Sequence, residues 1–448
     1  MVEKTYKRIK KYFQLKIIGS LFLPFVLSIN FAYAQGVRLI SDAETEQLLL
    51  DLAKPLFEAA KIPFENREIY IVEDNSLNAF VAEGNNLFVH TGTIMAAQSP
   101  DELSGVIAHE IGHIAGGHIL RQKLKNKSLQ EVSLFSVIAA GAAAVISGNP
   151  DVAMAAMLGT QNSVLTNYTM YRTSEERSAD ETAIGLLKQT KQSPQGMLNF
   201  MKKLANHTKL QGIEETPYFR THPLTQERIS FFEQAVKKYS YPTTFNLQHR
   251  FAMVKAKLKA FLQTPEQTLR QYPINDKSGP AQYARTIAYF KQLKLSLAQQ
   301  ELAKLLQKNP DNPYFYELKG QIYLETGKAN NAKIEYQKAL QLLPNSPLLQ
   351  IRLAQAILEA QPNVDDVQQA INLINKAMIK RPTAFGWLLL ARAYGAQKRY
   401  AHAQYASAEY SVRIGAIDTA KLQLKKALEF KPDAQLKLKI SDLSEKIK

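Results

Sequence analysis

Hydrophobic residues recur with two different periods along the first half of the chain. Apolar positions three and four apart run through residues 42–61, after a Ser41 that predicts the N-cap, and through residues 100–124, which begin with proline. Short apolar runs predict three strands, at residues 68–74, 77–82 and 87–92. The last two runs flank the turn EGNN and predict a hairpin. The mixture predicts an α+β domain that is mostly helical with a small sheet.

From about residue 247 onward the pattern is helical throughout, and it repeats. Prolines recur near the predicted helix ends, at Pro310, Pro344, Pro382 and Pro432. The first interval is 34 residues, which is also the separation of Tyr289 from Tyr323. The clearest unit places small and aromatic residues at Gly320, Tyr323, Gly327, Ala332, Tyr336 and Ala339. This spacing resembles the tetratricopeptide repeat, although Lys319 stands where leucine is usual, and it predicts an all-α solenoid of four to five helix pairs.

The stretch YSYPTTF at residues 239–245 separates the two patterns. Pro242 and the paired threonines fit no helix, so we predict a domain boundary there, with one domain over 35–245 and the repeat domain over 246–448.

Residues 1–34 have the order of a secretory signal peptide. Six basic residues precede an uncharged, apolar segment that ends in Ala-Tyr-Ala. The alternative is a retained membrane anchor, but Pro24 and Asn30 leave the apolar core shorter than the roughly 20 residues of a membrane span. We predict cleavage after Ala34 and export, consistent with a bacterial periplasm.

Charge and cysteine content narrow the classes of function. The 448 residues contain no cysteine, which excludes disulfides, thiolate metal sites and a cysteine nucleophile, and which suits an oxidising compartment. The net charge is +16, of which five units belong to the predicted signal peptide. We interpret the remaining +11 as attraction to acidic partners or an anionic membrane face, and we expect no nucleic-acid partner because the chain offers no motif for one.

A second apolar stretch covers residues 133–161. The sequence GNP at 148–150 divides it into two arms, each too short to cross a bilayer. One interpretation is a buried helical hairpin of the core. The other is a mobile flap, or a surface that touches lipid or an unfolded client.

The candidate chemistry begins with HEIGH at residues 109–113. His109 and His113 are four apart on a predicted helix, so they share a face and can converge on one ion. Neutral imidazole suits zinc, and Glu110 is placed to take a proton from a zinc-bound water. A third histidine at 119, as in HExxHxxGxxH, is absent, because Ile119 stands there. His118 is one residue off and is expected to point elsewhere on the helix.

A glutamate from a later helix is the other source of a third ligand. Residues 174–189 predict a helix with Ser174 as its cap, and Glu176 and Asp180 lie on one face of it. Glu176 could bind the metal while Asp180 accepts a hydrogen bond from a ligand histidine. The alternative is an ordinary acidic helix start.

HExxH followed 63 residues later by ExxxD resembles the gluzincin family of membrane-associated metallopeptidases that includes HtpX and the CAAX prenyl proteases. The segment RTHPLTQERI at 220–229 is similar to that family as well. The resemblance implies a zincin-like domain that holds one Zn²⁺ per chain through His109, His113 and Glu176. It implies Glu110 as the general base and Asp180 as a partner of a ligand.

The resemblance also places His222 beside the active site, with two roles open. His222 could hydrogen-bond the oxyanion of the tetrahedral intermediate, or it could take the fourth zinc position and hold a resting enzyme shut. Arg220 and Arg228 could likewise bind the oxyanion or form a structural salt bridge. A hairpin at residues 78–89 beside the zinc would bind substrate backbone by strand addition, unless it only packs.

A peptidase followed by repeats is similar to the exported branch of the family that works with the outer-membrane barrel assembly machinery. This implies an endopeptidase that degrades misfolded or stalled outer-membrane proteins, docked on that machinery through its repeats, with peripheral membrane contact. The alternative is a chaperone or scaffold for outer-membrane protein assembly in which proteolysis is secondary or suppressed.

Overall fold

The computed structural model describes residues 38–64, 69–82, 86–118, 173–211, 218 and 222–448. The predicted signal peptide at 1–34, the apolar stretch at 133–161 and Arg220 lie outside these residues. In the described part of the chain, no helix combines the length and the apolar character needed to cross a membrane.

The described residues up to 238 form a small sheet and six helices. The strands are β1 (Leu39–Ile40), β2 (Ile69–Val72), β3 (Ala79–Ala82) and β4 (Asn86–His90). The helices are α1 (Ala43–Ala59), α2 (Thr91–Ala96), α3 (Pro100–Ala115), α4 (Thr173–Gln189), α5 (Gln195–Gln211) and α6 (Gln226–Lys238). The strand order is β1-β2-β4-β3, and β2 runs parallel to β4 while the other pairs are antiparallel.

The predicted hairpin is confirmed, and β3 is the edge strand beyond β4 in the described sheet. Phe80 and Phe88 face each other across the two strands, and their rings stack with centroids 4.9 Å apart. The strand predicted over 87–92 ends at His90, because Thr91 and Gly92 already belong to α2. Helix α3 contacts β3, so the hairpin lies beside the helix that carries HEIGH.

The structure contradicts both predicted helix caps. The N-cap of α1 is Asp42, whose carboxylate accepts a hydrogen bond of 2.8 Å from the Thr45 amide, and Ser41 lies outside it. The Asp42 carboxylate also accepts from the Thr45 hydroxyl, an extra bond that favours it over Ser41. Helix α4 begins at Thr173, so Ser174 lies inside the helix.

One apolar core joins the sheet to the helices around it. Leu49 and Phe57 of α1, Ile71 of β2, Val89 of β4 and Ile107 of α3 are all buried in it. Burial of large side chains of this kind contributes about 1.5–3 kcal/mol each, so this core fixes α3 relative to the sheet.

Helices alone make up the chain from residue 245. They are α7 (Phe245–Leu262), α8 (Pro265–Gln271), α9 (Gly279–Lys291), α10 (Leu295–Lys308), α11 (Pro313–Glu325), α12 (Ala329–Leu342), α13 (Pro347–Glu359), α14 (Val364–Lys380), α15 (Ala384–Ala396), α16 (Tyr400–Arg413), α17 (Ile417–Glu429) and α18 (Ala434–Lys446). In this fully described range, helices α9 to α16 form four consecutive pairs, and α17 packs mainly on α16 with α18 after it, which confirms the predicted repeats.

The clearest repeat packs as its residues predict. A side chain on Gly320 of α11 would begin 3.0 Å from the buried ring of Tyr336 in α12, so glycine lets the two helices approach. Lys319, which departs from the usual leucine, forms an ion pair of 2.7 Å with Glu335 of the paired helix. Pro344 follows the end of α12, where it cannot continue the helix.

Helix α7 belongs to two cores at once. Phe251, Val254 and Leu258 pack into the core of the sheet domain, whereas Met253 and Ala260 pack with α9 and α11 in the first core of the repeats. The boundary predicted between 245 and 246 falls at the start of this shared helix, and it stays a prediction.

A buried charge cluster crosses the same junction. Lys257 of α7 is buried and forms ion pairs with Asp42 and with Glu44, 3.4 Å away, both at the start of the sheet domain. It also lies 3.8 Å from Glu317 of α11. The Tyr283 hydroxyl of α9 donates a hydrogen bond of 2.9 Å to Glu44. The repeat helices and α1 are therefore held together by a shared set of charges as well as by α7.

Candidate metal centre

Helix α3 carries the HEIGH residues on a buried face. Pro100 occupies the first turn and Asp101 and Glu102 follow it, an order that favours a helix N-terminus. His109 and His113 are one turn apart and fully buried, and their Nε2 atoms lie 3.0 Å from each other. The helix therefore aims both imidazoles at the same point, as the spacing predicts.

Helix α4 brings a carboxylate to the same point. Oε1 of Glu176 lies 3.3 Å from Nε2 of His113, and its Oε2 lies 3.4 Å from Nε2 of His109. Asp180, one turn further, places Oδ1 2.8 Å from Nδ1 of His109. Glu176 thus faces the inner nitrogens, and Asp180 faces the outer nitrogen of His109.

His222 completes the group from a separate part of the chain. Its Nδ1 lies 3.1 Å from Oε1 of Glu176 and 3.3 Å from Nε2 of His109. The ring packs on Tyr218, with centroids 4.6 Å apart, and the His222 amide donates a hydrogen bond of 2.7 Å to the Tyr218 carbonyl. His222 is buried like the other members of the group.

The four donors have the spacing of a metal site. One donor atom from each of His109, His113, Glu176 and His222 lies within 4.8 Å of all the others. The neighbouring donor pairs are 3.0 to 3.4 Å apart. Zinc bonds of about 2.0 Å in a tetrahedron separate the ligand atoms by about 3.3 Å. Three imidazoles and one carboxylate are ligands that zinc takes, so the donor set fits this ion in both chemistry and size.

Glu110 lies next to this group and is not one of its four donors. Its Oε1 is buried and has no hydrogen-bond partner among the described residues, and Nε2 of His222 lies 3.5 Å from it. Burial raises the pKa of Glu110, although the charges of His222 and His109 oppose the rise. A carboxylate with a raised pKa, and with one oxygen that makes no hydrogen bond, is suited to accept a proton.

Burial and the neighbouring carboxylates shift the pKa values of the two imidazoles on α3 in opposite directions. Burial alone would lower the pKa of His109, but hydrogen bonds and charges from Asp180 and Glu176 outweigh burial and raise that pKa to about 9. Burial holds the pKa of His113 well below its usual value, and the charges of His109 and His222 lower it further, although a hydrogen bond with Glu176 opposes them. The two imidazoles therefore differ in basicity although they share one helix.

Arg228 of α6 holds both acidic residues in place. Its Nε and Nη2 donate to the two oxygens of Asp180 at 2.7 and 2.9 Å, and its Nη1 lies 2.7 Å from Oε2 of Glu176. The same Nη1 donates to the Pro223 carbonyl at 2.9 Å, next to His222. The sequence left two roles open for Arg228, oxyanion binding and a structural salt bridge. In the structure Arg228 forms the salt bridge.

His118 is a residue that the sequence reasoning missed. It was expected to point away, but helix α3 ends at Ala115, so an extrapolation of the helix does not apply to residue 118. The ring is buried, and its Nδ1 lies 2.9 Å from Nδ1 of His113. The signal in the sequence is the glycine pair at 116–117, which is typical of a helix end.

Comparison with known proteins agrees with this site. Residues 41–236 match the sequence profile of Peptidase family M48. The chain is 26% identical over 398 residues to the Beta-barrel assembly-enhancing protease of Yersinia pestis, covering 86% of this chain and 78% of that protein. The protein of the same description from Escherichia coli strain K12 is 26% identical over 394 residues, covering 85% and 78%.

A solved tetratricopeptide repeat protein from Parabacteroides merdae aligns with 71% of this chain and 99% of its own, at 16% identity and a TM-score of 0.29, too low to support a conclusion. The family profile includes HEIGH, Glu176, Asp180 and His222 within its range. The chain therefore contains a metallopeptidase part at residues 41–236 that matches family M48, with helical repeats after it.

Proposed function

We propose that the protein is an exported zinc endopeptidase that degrades misfolded or stalled envelope and outer-membrane proteins. The relatives over most of its length are described as beta-barrel assembly-enhancing proteases, and residues 1–34 have the order of a signal peptide. Both observations support a protease that acts in the periplasm, at the outer membrane. We propose the repeat domain, 246–448, as the part that docks on the barrel assembly machinery, and 35–245 as the peptidase domain.

The close spacing of four buried donors is the observation that carries this proposal. His109, His113 and Glu176 would hold one Zn²⁺, with His222 as the fourth donor. When bound, zinc polarises a peptide carbonyl and lowers the pKa of a water molecule. Glu110 then accepts the proton at its buried Oε1, which has no competing hydrogen bond in the described structure, and passes it to the leaving amine.

The residues around the donors orient them. Oδ1 of Asp180 lies 2.8 Å from Nδ1 of His109, which favours a proton on Nδ1 and leaves Nε2 of that ring with its lone pair toward the metal. Arg228 fixes Asp180 with two hydrogen bonds and neutralises part of the acidic charge. The arrangement keeps the donor set in place before substrate arrives, which is the condition for a rapid hydrolytic step.

We assign His222 to a resting form. Four protein donors leave no open position, whereas catalytic zinc sites keep one open for water or substrate. His222 therefore has to leave its place before cleavage, and in that state it is available to hydrogen-bond the oxyanion. This order reconciles the two roles that the sequence leaves open.

Substrate is proposed to bind along β3. This edge strand contacts α3, and an extended peptide added to it would run past the metal centre. Backbone pairing of this kind gives low sequence specificity, which suits a protease for misfolded proteins.

A chaperone or scaffold role is the second candidate, and the closed donor set favours it. A centre with four protein donors is suppressed until His222 moves, so the folded protein would hold clients without cutting them. Glu110→Gln separates the two functions, because it removes the proton acceptor and keeps the shape of the side chain.

The test begins with metal analysis of the purified protein and with cleavage of unfolded casein, with and without a zinc chelator. We expect one zinc per chain, and cleavage that the chelator stops. Glu110→Gln should lower cleavage by at least about 100-fold, while Glu181→Gln, an exposed carboxylate on α4, should change nothing. No zinc in either the wild type or His222→Ala would overturn the site. If cells with Glu110→Gln assemble barrel proteins under stress as well as wild-type cells do, cleavage is not needed for assembly and the scaffold role remains.

His222→Ala tests the resting form. If His222 closes the site, its removal raises casein cleavage above that of the wild type. The matched control is His249→Ala, because His249 is exposed and lies on α7, away from the donors. A fall in cleavage for His222→Ala would contradict closure of the site by His222 and leave only its proposed role at the oxyanion.

A further inference from the structure

The metal centre has a histidine partner that none of its proposed roles uses. His118 is 1% exposed, and its Nδ1 lies 2.9 Å from Nδ1 of His113. The two rings are steeply inclined at 72°, with centroids 5.0 Å apart. His113 directs its other nitrogen, Nε2, at His109 and Glu176. His118 therefore contacts the one nitrogen of His113 that faces away from the donor group.

The chain is built to return His118 to this place. Helix α3 ends at Ala115, Gly116 follows in helical conformation, and Gly117 adopts a left-handed φ of 64° that favours glycine. A side chain on Gly116 would begin 2.4 Å from Nε2 of His118. The first glycine makes room for the ring and the second turns the backbone, so the ring folds back over the end of the helix.

The chemistry of the contact fixes both rings. Two Nδ1 atoms at 2.9 Å form a hydrogen bond only if one carries a proton and the other does not. A metal at Nε2 of His113 requires a lone pair there, so the neutral ring carries its proton on Nδ1. His113 is then the donor, and His118 accepts at Nδ1.

We propose that His118 is the positioning residue of His113, as Asp180 is of His109. It holds His113 in the Nδ1-protonated tautomer and fixes the ring plane, so that Nε2 faces the metal before the metal binds. The inference rests on the proposed metal site. It also makes the two ligand histidines unequal, because one outer nitrogen meets a carboxylate and the other meets a neutral ring.

The test measures metal affinity of the full chain in three variants. His118→Phe keeps an aromatic ring and removes the acceptor, and we expect zinc to bind about 10- to 100-fold more weakly. His118→Asn restores an acceptor oxygen, so its affinity should return to within a few-fold of the wild type. Gly116→Ala pushes the ring away and should weaken binding as His118→Phe does. His249→Phe is the matched control, on an exposed histidine.

The spectrum of the cobalt-loaded protein supplies a readout that cleavage does not. A ring of His113 that is free to turn should change the visible absorption bands of bound Co²⁺ in His118→Phe, whereas His118→Asn should keep the bands of the wild type. Circular dichroism of the metal-free proteins reports folding. If His118→Phe does not fold, Gly116→Ala and His118→Asn decide between the outcomes.

Equal affinities and spectra for the wild type and Gly116→Ala, or no rescue by His118→Asn, would overturn the role of His118. A wild type that binds neither zinc nor cobalt would overturn the proposed function itself, so the two failures are distinguishable.

Discussion

The carbonyl oxygen of Ala179 occupies the space that a side chain on Gly112 would need. A Cβ atom on Gly112 would lie 2.5 Å from that oxygen, which is closer than contact distance. Gly112 is the fourth letter of HEIGH, and Ala179 lies between Glu176 and Asp180 on α4. Helices α3 and α4 therefore meet at the metal centre with no side chain between them.

Gly112→Ala should separate the two helices where their ligands converge. The obstacle is backbone, which cannot turn aside as a flexible side chain can. We expect a loss of about 1–3 kcal/mol in the free energy of unfolding. Glu176 would shift relative to His109, and cleavage should fall by at least about tenfold. Urea unfolding and zinc titration measure the two effects.

Gly185→Ala is the matched control for this prediction. Gly185 lies on α4, the helix that carries Ala179, and a Cβ atom there would have no neighbour within 4 Å in the described structure. Alanine should stabilise the helix by up to about 1 kcal/mol and leave zinc binding unchanged. A Gly112→Ala protein as stable as Gly185→Ala would contradict the close approach.

Arg228→Met should destabilise the protein even without metal. The change leaves Asp180 and Glu176 buried without the guanidinium that pairs with both. Removal of one partner of a buried ion pair costs about 3–5 kcal/mol. Thermal unfolding of the metal-free protein measures the loss.

Arg177→Met provides the comparison, since Arg177 forms exposed ion pairs with Glu181 and Glu227. Pairs of this kind contribute about 0–1 kcal/mol. If both arginine variants lost the same small amount, the buried clamp on Asp180 would have no special role in stability.

Stability between pH 5 and 8 should depend on Glu44. Burial raises the pKa of this carboxyl from 4.5 to about 7; Lys257 and the Tyr283 hydroxyl oppose the rise, while Asp42 and Glu317 add to it. The folded chain therefore binds the proton more tightly than the unfolded chain. The stabilisation is complete below pH 4.5 and is lost as the pH rises through about 7.

Glu44→Gln removes this titration. Between pH 5 and 8 the wild type should lose as much as about 3 kcal/mol more in the free energy of unfolding than the variant does. Urea unfolding at both pH values gives the difference, and Glu58→Gln, an exposed residue of the same helix, should behave like the wild type. Parallel pH curves for wild type and Glu44→Gln would refute a raised pKa.

Lys257→Met should weaken the junction between the sheet domain and the repeats. Three carboxylates, of Asp42, Glu44 and Glu317, would lose their shared cation in a buried place. We expect a loss of about 3–5 kcal/mol and faster hydrogen exchange in both α1 and α7. Lys54→Met, at an exposed ion pair with Glu58, should have little effect. Unchanged exchange in α1 would mean that the cluster does not join the two parts.

The parts of the site that could be predicted are those set by local geometry. His109 with His113, and Glu176 with Asp180, are four apart on helices, and such pairs share a face whatever the surrounding fold. That the two helices meet is a tertiary fact, visible in sequence only as Gly112. The place of His222 followed from family resemblance alone, because its partners lie 46 and 113 residues away.

The errors have physical causes as well. His118 was misplaced because a helical face has no meaning beyond the residue at which the helix ends. The sequence could not decide between the two roles of Arg228, because its partner Asp180 is 48 residues away. The order of the sheet, with β2 parallel to β4, depends on a crossover that apolar runs do not encode.

The shared helix α7 determines when the core of the sheet domain can be completed during synthesis of the chain. The family profile ends at residue 236, yet Phe251, Val254 and Leu258 fill the core of the sheet domain. A nascent chain that has reached only residue 245 still lacks one wall of that core. The core of the peptidase is complete only after helix α7 has been synthesised, so an active site on a chain truncated before α7 has no complete core beneath it.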